Sequence, residues 1–301
     1  MHRARVFRTL AWGLLAMGLL SAGCRGFVES QVFFPERRLE TTPAAAGLGY
    51  EDLWLDASDG TRLHAWLVPA DQARFLVLFC HGNGGNISHR VDNLRRLHDL
   101  GVACLIFDYR GYGQSQGRPS EDGFFLDAEA ALARARDLAP RHGQRLVIFG
   151  RSLGGIAATH IAAVAAQNPG APQPAGLILE STFTHLGDMA RNHFPLPLLG
   201  PALAGRFSAQ KRIPQVQCPI LFFHGDRDEI VPFGLGRKLF DAAPPAKQWI
   251  TLAGAGHNDT YLVAGAAYWQ AWREFLAGRA IDGHPAAQVE AISGKTTLPL
   301  E

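Results

Sequence analysis

The chain is poor in cysteine, with four residues, Cys24, Cys80, Cys104 and Cys218, and no motif spacing among them. That scatter argues against both a zinc framework and a disulfide scaffold. A surplus of charge is also missing. Lys plus Arg is 29 and Asp plus Glu is 27, and setting aside Arg3, Arg5 and Arg8 leaves the rest of the chain close to neutral. No basic field remains to attract nucleic acid. There is no G-K-[ST] phosphate loop, no G-x-G-x-x-G fingerprint, no internal repeat and no His/Cys/Asp/Glu spacing suited to a metal. The apolar stretch Leu10 to Leu20 is short for a membrane span, which needs about 20 residues.

What is present suits a packed globular protein: 47% hydrophobic and 19% charged over 301 residues, enough for one large α/β domain. The opening "MHRARVFRTLAWGLLAMGLLSAGC" stands apart from it. A basic start, an apolar stretch of signal length and small residues before Cys24 read as a signal peptide over residues 1–23. The ending "LLSAGC" resembles a bacterial lipobox, although Ser21 stands where leucine is commoner. The resemblance implies lipidation at Cys24, an exported cell-envelope protein and a membrane reached through that lipid anchor. Arg25, in place of the aspartate of inner-membrane lipoproteins, favours the outer membrane on its periplasmic side.

Residues 24–49 read as a linker and 50–277 as the domain. "YEDLWLDASDGTRLHAWLVP" gives two strands around a turn. Short apolar runs then alternate with stretches of helical periodicity, and most of the runs are apolar throughout, as in a sheet covered on both faces. The pattern predicts a mostly parallel, doubly wound sheet with an antiparallel start. Residues 181–214 are long for a connection and predict a short cap. Residues 278–301 read as a loosely attached tail.

The sharpest signal is Gly150-Arg151-Ser152-Leu153-Gly154, set between a strand and a helix. A turn that tight lifts the Ser152 hydroxyl above the strand ends, and the Leu153 N–H, opening the helix, points where an oxyanion would form. A serine hydroxyl needs a base. Among the 12 histidines, His257 has the fitting place, in the glycine-flanked "LAGAGHNDTY" between the last strand and the final helix. His64, His98, His142, His160 and His185 read as ordinary surface or core residues. An acid to orient the base belongs on a late loop before it. "LFFHGDRDEIVP" offers Asp226 and Asp228 there, with Glu180 at the end of an earlier strand as a weaker choice.

"HGNGGN", "FDYRGYGQSQG", "GRSLGG", "LEST", "HGDRDEIVP" and "GAGHND", in that order, resemble the α/β-hydrolase superfamily. More narrowly they are similar to its BEM46-like branch, which includes the ABHD13 and ABHD17 types. The resemblance spans about residues 50–276. It implies an α/β-hydrolase fold and a serine hydrolase that acts on a small acyl ester or thioester without a cofactor. Asp228 matches the branch's H-G-x-x-D-x-x-V pattern, which makes it the triad acid and leaves Asp226 as a turn-maker bonding backbone N–H groups ahead of it. Asn83, in the loop after the strand "FLVLF", is the expected second oxyanion donor. Asp108, Tyr109 and Arg110 read as structural. Two alternatives stand beside this reading: a serine aminopeptidase of the same fold, and a non-catalytic envelope lipoprotein that uses the fold as a binding surface.

Overall fold

A computed structural model describes residues 29, 32–142, 145–193, 203 and 205–278, with the short strand Gln288–Val289. The expected signal peptide and Cys24 lie outside the described residues, as do residues 194–202 of the expected cap.

The strands are β1 (Glu51–Asp56), β2 (Arg62–Val68), β3 (Phe75–Cys80), β4 (Ala103–Phe107), β5 (Arg145–Arg151), β6 (Gly176–Glu180), β7 (Ile220–Gly225), β8 (Lys247–Leu252) and β9 (Gln288–Val289). They form one sheet in the order β1-β2-β4-β3-β5-β6-β7-β8-β9. β1 pairs antiparallel with β2, and β2 with β4; every later pairing is parallel. This is the mostly parallel sheet with an antiparallel start that the alternation of elements predicts. Two residues of the expected tail pair with β8, Gln288 beside Trp249 and Val289 beside Ile250.

Why the central strands are apolar throughout is visible in their packing. Leu76, Leu78 and Cys80 of β3 enter one core, and Val77 and Phe79 enter the other. Successive side chains of a strand point to opposite faces, so a sheet covered on both needs no polar position. Helices α1 (Val91–Asp99), α2 (Glu121–His142), α3 (Leu153–Ala166), α4 (Leu186–His193), α5 (Phe233–Ala242), α6 (Thr260–Ala264) and α7 (Ala266–Leu276) supply the covers. In α3, Ile156, Ala157, Ala158, Ile161, Ala162 and Ala165 are buried. Their small side chains let the helix lie close against the sheet.

The expected linker behaves differently between residues 32 and 38. Phe33 is 5% exposed and packs against Tyr112, Phe124 and Phe207, while Pro35 bridges Gly85. Residues 32–38 therefore form a strap across the domain. Its apolar Phe33 outweighs the Ala-, Pro- and Gly-rich composition that follows it.

Candidate active site

Ser152 is the single residue between β5 and α3, with φ 53° and ψ −122°. A left-handed φ is unusual outside glycine and persists only where the surroundings enforce it. Here three hydrogen bonds do so: Ser152 N–H donates to the Glu180 carbonyl at 2.9 Å, and the Ser152 carbonyl accepts from Thr182 Oγ1 and Gly155 N–H, each at 2.9 Å. Gly154 is needed for space. A Cβ there would stand 2.0 Å from the Cys80 carbonyl oxygen and 2.5 Å from that of His81. The loop after β3 runs over the elbow, since a Cβ on Gly82 would lie 3.5 Å from that of Ser152.

Asn83 follows Gly82 in that loop. Its side chain is fully engaged: Oδ1 accepts from the Phe34 N–H at 3.1 Å and from the Tyr112 hydroxyl at 2.7 Å, and Nδ2 donates to the Val32 carbonyl. The strap thus holds both ends of one amide. Neither the main-chain N–H of Asn83 nor that of Leu153 has a hydrogen-bond acceptor among the described residues.

His257 is 5% exposed, and its Nδ1 faces the Asp228 carboxylate at 2.9 Å from Oδ2 and 3.0 Å from Oδ1. Oδ1 of Asp228 also accepts from the N–H groups of Ile230 (3.0 Å) and Val231 (2.7 Å). Burial disfavours the Asp228 charge, but the hydrogen bond and charge of His257 and the Val231 N–H outweigh it and hold the carboxyl below its usual range. His224, behind this carboxylate, has Nε2 3.5 Å from Oδ2 and 2.9 Å from the Val231 carbonyl. Burial keeps His224 from protonating at its usual pH.

The second aspartate has another task. Asp226 is exposed, and its Oδ1 accepts from Gly254 N–H at 2.7 Å, tying this loop to the one after β8. The local turn over Ile230 and Val231 is built by Asp228 itself, contrary to the expected division between turn-maker and acid.

A buried network, unread in the sequence, joins the elbow to the histidine loop. Arg151 and Glu180 end neighbouring strands in register, and Arg151 Nε donates to Glu180 Oε1 at 2.8 Å. Arg151 Nη2 donates onward to the His257 carbonyl (2.5 Å) and to Asn258 Oδ1 (3.1 Å). Glu180 further accepts from Thr260 Oγ1 at 2.8 Å and from the Tyr268 hydroxyl. Burial and the adjacent Glu180 push the Tyr268 hydroxyl well above its usual range, so it stays a donor. The signal for this network was two charged residues at the ends of otherwise apolar strands. Glu180 is occupied here and does not contact His257 among its described hydrogen bonds.

Several of the other acids and bases are paired elsewhere. Arg110 binds Asp127 and Asp59, Asp108 accepts from Ile87 N–H, and His64, His160 and His185 lie beside Asp52, Glu129 and Asp188. Cys80, Cys104 and Cys218 are free and buried, and burial pushes the Cys218 thiol up to about 12.

The family model described as "Serine aminopeptidase, S33" matches residues 71–205. The α/β-hydrolase domain-containing protein WAV2 of Arabidopsis thaliana is 34% identical to this chain, over 86% of this chain and 91% of WAV2. The chain belongs to the α/β-hydrolases. Bem46 of Schizosaccharomyces pombe is 33% identical over 89% of this α/β-hydrolase and 91% of its own length. A Saccharomyces cerevisiae relative described as an uncharacterised membrane protein is 31% identical over 90% and 97%. Among solved structures, the Pyrococcus furiosus esterase Pf2001 shares the fold with a TM-score of 0.65 at 20% identity, covering 81% of this chain and 98% of its own. This α/β-hydrolase is an enzyme of the hydrolase class. No helix among its described residues is long and apolar enough to cross a membrane.

Proposed function

We propose that this α/β-hydrolase cleaves a carboxylic ester or thioester through Ser152, His257 and Asp228, by way of an acyl-enzyme. The observation that carries this reading is the Nδ1 contact of His257 with both oxygens of Asp228, on a loop that Arg151, the residue before Ser152, holds by the His257 carbonyl. With Nδ1–H given to the carboxylate, Nε2 carries the lone pair and serves as the base.

His257 Nε2 takes the Ser152 proton while Oγ attacks the acyl carbon, and the carbonyl oxygen gains the negative charge. The N–H groups of Asn83 and Leu153 receive that oxygen. Collapse of the intermediate expels the alcohol or thiol, which takes the proton from His257. Water then repeats the sequence on the acyl-enzyme and restores the serine. Asp228, held ionised by its surroundings, stabilises the imidazolium in each half.

A lipid on Cys24 is the proposed link to the bacterial envelope. The lipobox-like sequence supports it, and so does a yeast relative described as a membrane protein. A peptide-bond reading draws support from the matching family model, whose description is an aminopeptidase. A fluorophosphonate probe should label the protein and fail to label Ser152→Ala; equal labelling of the two overturns the proposal. Turnover of p-nitrophenyl esters and acyl thioesters above aminoacyl anilides separates esterase from peptidase.

A further inference from the structure

Five large apolar side chains are exposed among the described residues: Phe34, Trp54, Ile230, Leu262 and Val263. Trp54 is on β1 at the edge of the sheet, with the Arg62 guanidinium 5.1 Å from its ring centre. The other four lie on segments that carry or adjoin the candidate site residues. Phe34 donates its N–H to Asn83, Ile230 follows Asp228 by two residues, and Leu262 and Val263 sit on α6, just beyond His257. β3, β7 and β8 run in the same direction, so the loops after them leave one edge of the sheet. The exposed apolar residues therefore gather at the edge where Ser152 is presented.

The strap gives that edge its orientation. Along it, Phe33 faces inward at 5% exposed, whereas the next residue, Phe34, faces outward at 62%. Val32 and Phe34 are fastened to Asn83, and Glu36 N–H donates to the Gly85 carbonyl at 3.2 Å. The chain thus reaches the domain along the loop after β3, the loop that carries Asn83. Ahead of the strap the sequence carries the apolar stretch Leu10 to Leu20 and then Cys24, ten residues before Phe34. An extended chain of that length reaches about 35 Å at most. An anchor at Cys24 or in the apolar stretch would keep the mouth close to the bilayer that holds it.

We propose that Phe34, Leu262 and Val263 form a lipid-docking rim, which turns the mouth of the site towards the bilayer and selects esters whose acyl chains reside there. Apolar surface of this size beside a membrane tether is driven into the lipid interface by the hydrophobic effect. The choice of substrate rests on the ester-hydrolase reading above; the docking does not.

The test uses the full chain bound to vesicles of phosphatidylethanolamine and phosphatidylglycerol. The double variant Leu262→Ser/Val263→Ser should hydrolyse soluble p-nitrophenyl butyrate within twofold of the unsubstituted protein. On p-nitrophenyl palmitate held in the vesicles it should fall at least tenfold, while Trp54→Ser changes neither rate. An equal loss on both substrates, or none on either, overturns the proposal. A second measurement is independent of catalysis. An environment-sensitive nitrobenzoxadiazole dye on Phe34→Cys should shift to the blue on vesicles and be quenched by bilayer-buried spin labels, with the labelled unsubstituted protein as background. The same dye on Trp54→Cys should not. A Phe34→Cys dye that stays in water, or that is buried without vesicles by a second copy of the chain, also overturns the docking. Failure of the unsubstituted protein on both esters, with the dye in lipid, would sink only the ester reading.

Discussion

Nδ1 of His257 lies within 3.0 Å of both carboxylate oxygens of Asp228, and two main-chain N–H groups, from Ile230 and Val231, point at Oδ1 of the same carboxylate. One acid thus fixes the tautomer of the histidine while its own loop fixes the acid.

Asp228→Asn should lower kcat by about 10³–10⁴-fold on any ester the protein turns over, because the amide can present an N–H where Nδ1–H needs an acceptor. Asp226→Asn, at an exposed side chain that accepts from Gly254 N–H, should stay within a few fold. Steady-state rates of the two variants side by side check this, and the reverse order would transfer the role to Asp226.

Glu180→Gln should destabilise the fold by about 3–5 kcal/mol, since it leaves the buried Arg151 guanidinium without its carboxylate. Adding Arg151→Met should recover part of the loss, because no buried charge is then stranded. Urea unfolding of the single and double variants measures both effects.

Asn83→Ala keeps the main-chain N–H proposed to face the oxyanion and removes the clamp on Val32 and Phe34. Turnover should fall on the order of 10–10²-fold through misplacement of the donor, with KM little changed. Fluorophosphonate labelling of Ser152 should persist. A purely structural role for Asn83 would instead lower the melting temperature and leave kcat intact.

Acidification should weaken the fold from about pH 6.5 downward. His224, ordinarily titrating near 6.5, is held lower by burial, so below that value the unfolded chain takes up a proton that the folded chain refuses. Asp228 is also held below its usual 3.8, so its contribution is present above that pH and is lost as the pH falls through its lower folded value. Thermal unfolding from pH 7.5 to 3 should show both declines, and His224→Gln should lessen the first, to which His160 and His185, also held low by burial, contribute.

The sheet was legible because the central strands are apolar along most of their length and the helices between them repeat at 3.6 residues. The elbow was legible because its chemistry is local: Gly150, Ser152 and Gly154 must be neighbours in the chain. Contacts between distant segments were not. Asn83 and Phe34 are 49 residues apart, and Arg151 and His257 are 106 apart. Nothing in "GRSLGG" says that its arginine reaches another loop. The strap was hidden for a related reason, since Phe33 is buried by Tyr112, Phe124 and Phe207, which only folding brings together.

Arg151 occupies the second letter of G-x-S-x-G, the letter the motif leaves open. In this chain that freedom is absent, because the side chain grips the carbonyl of His257 on one side and the carboxylate of Glu180 on the other. A mutagenesis library at position 151 would therefore act as a library on the reach of the base. Variants that recover from it should carry second changes at 180 or 258, far along the chain, before any in the elbow itself.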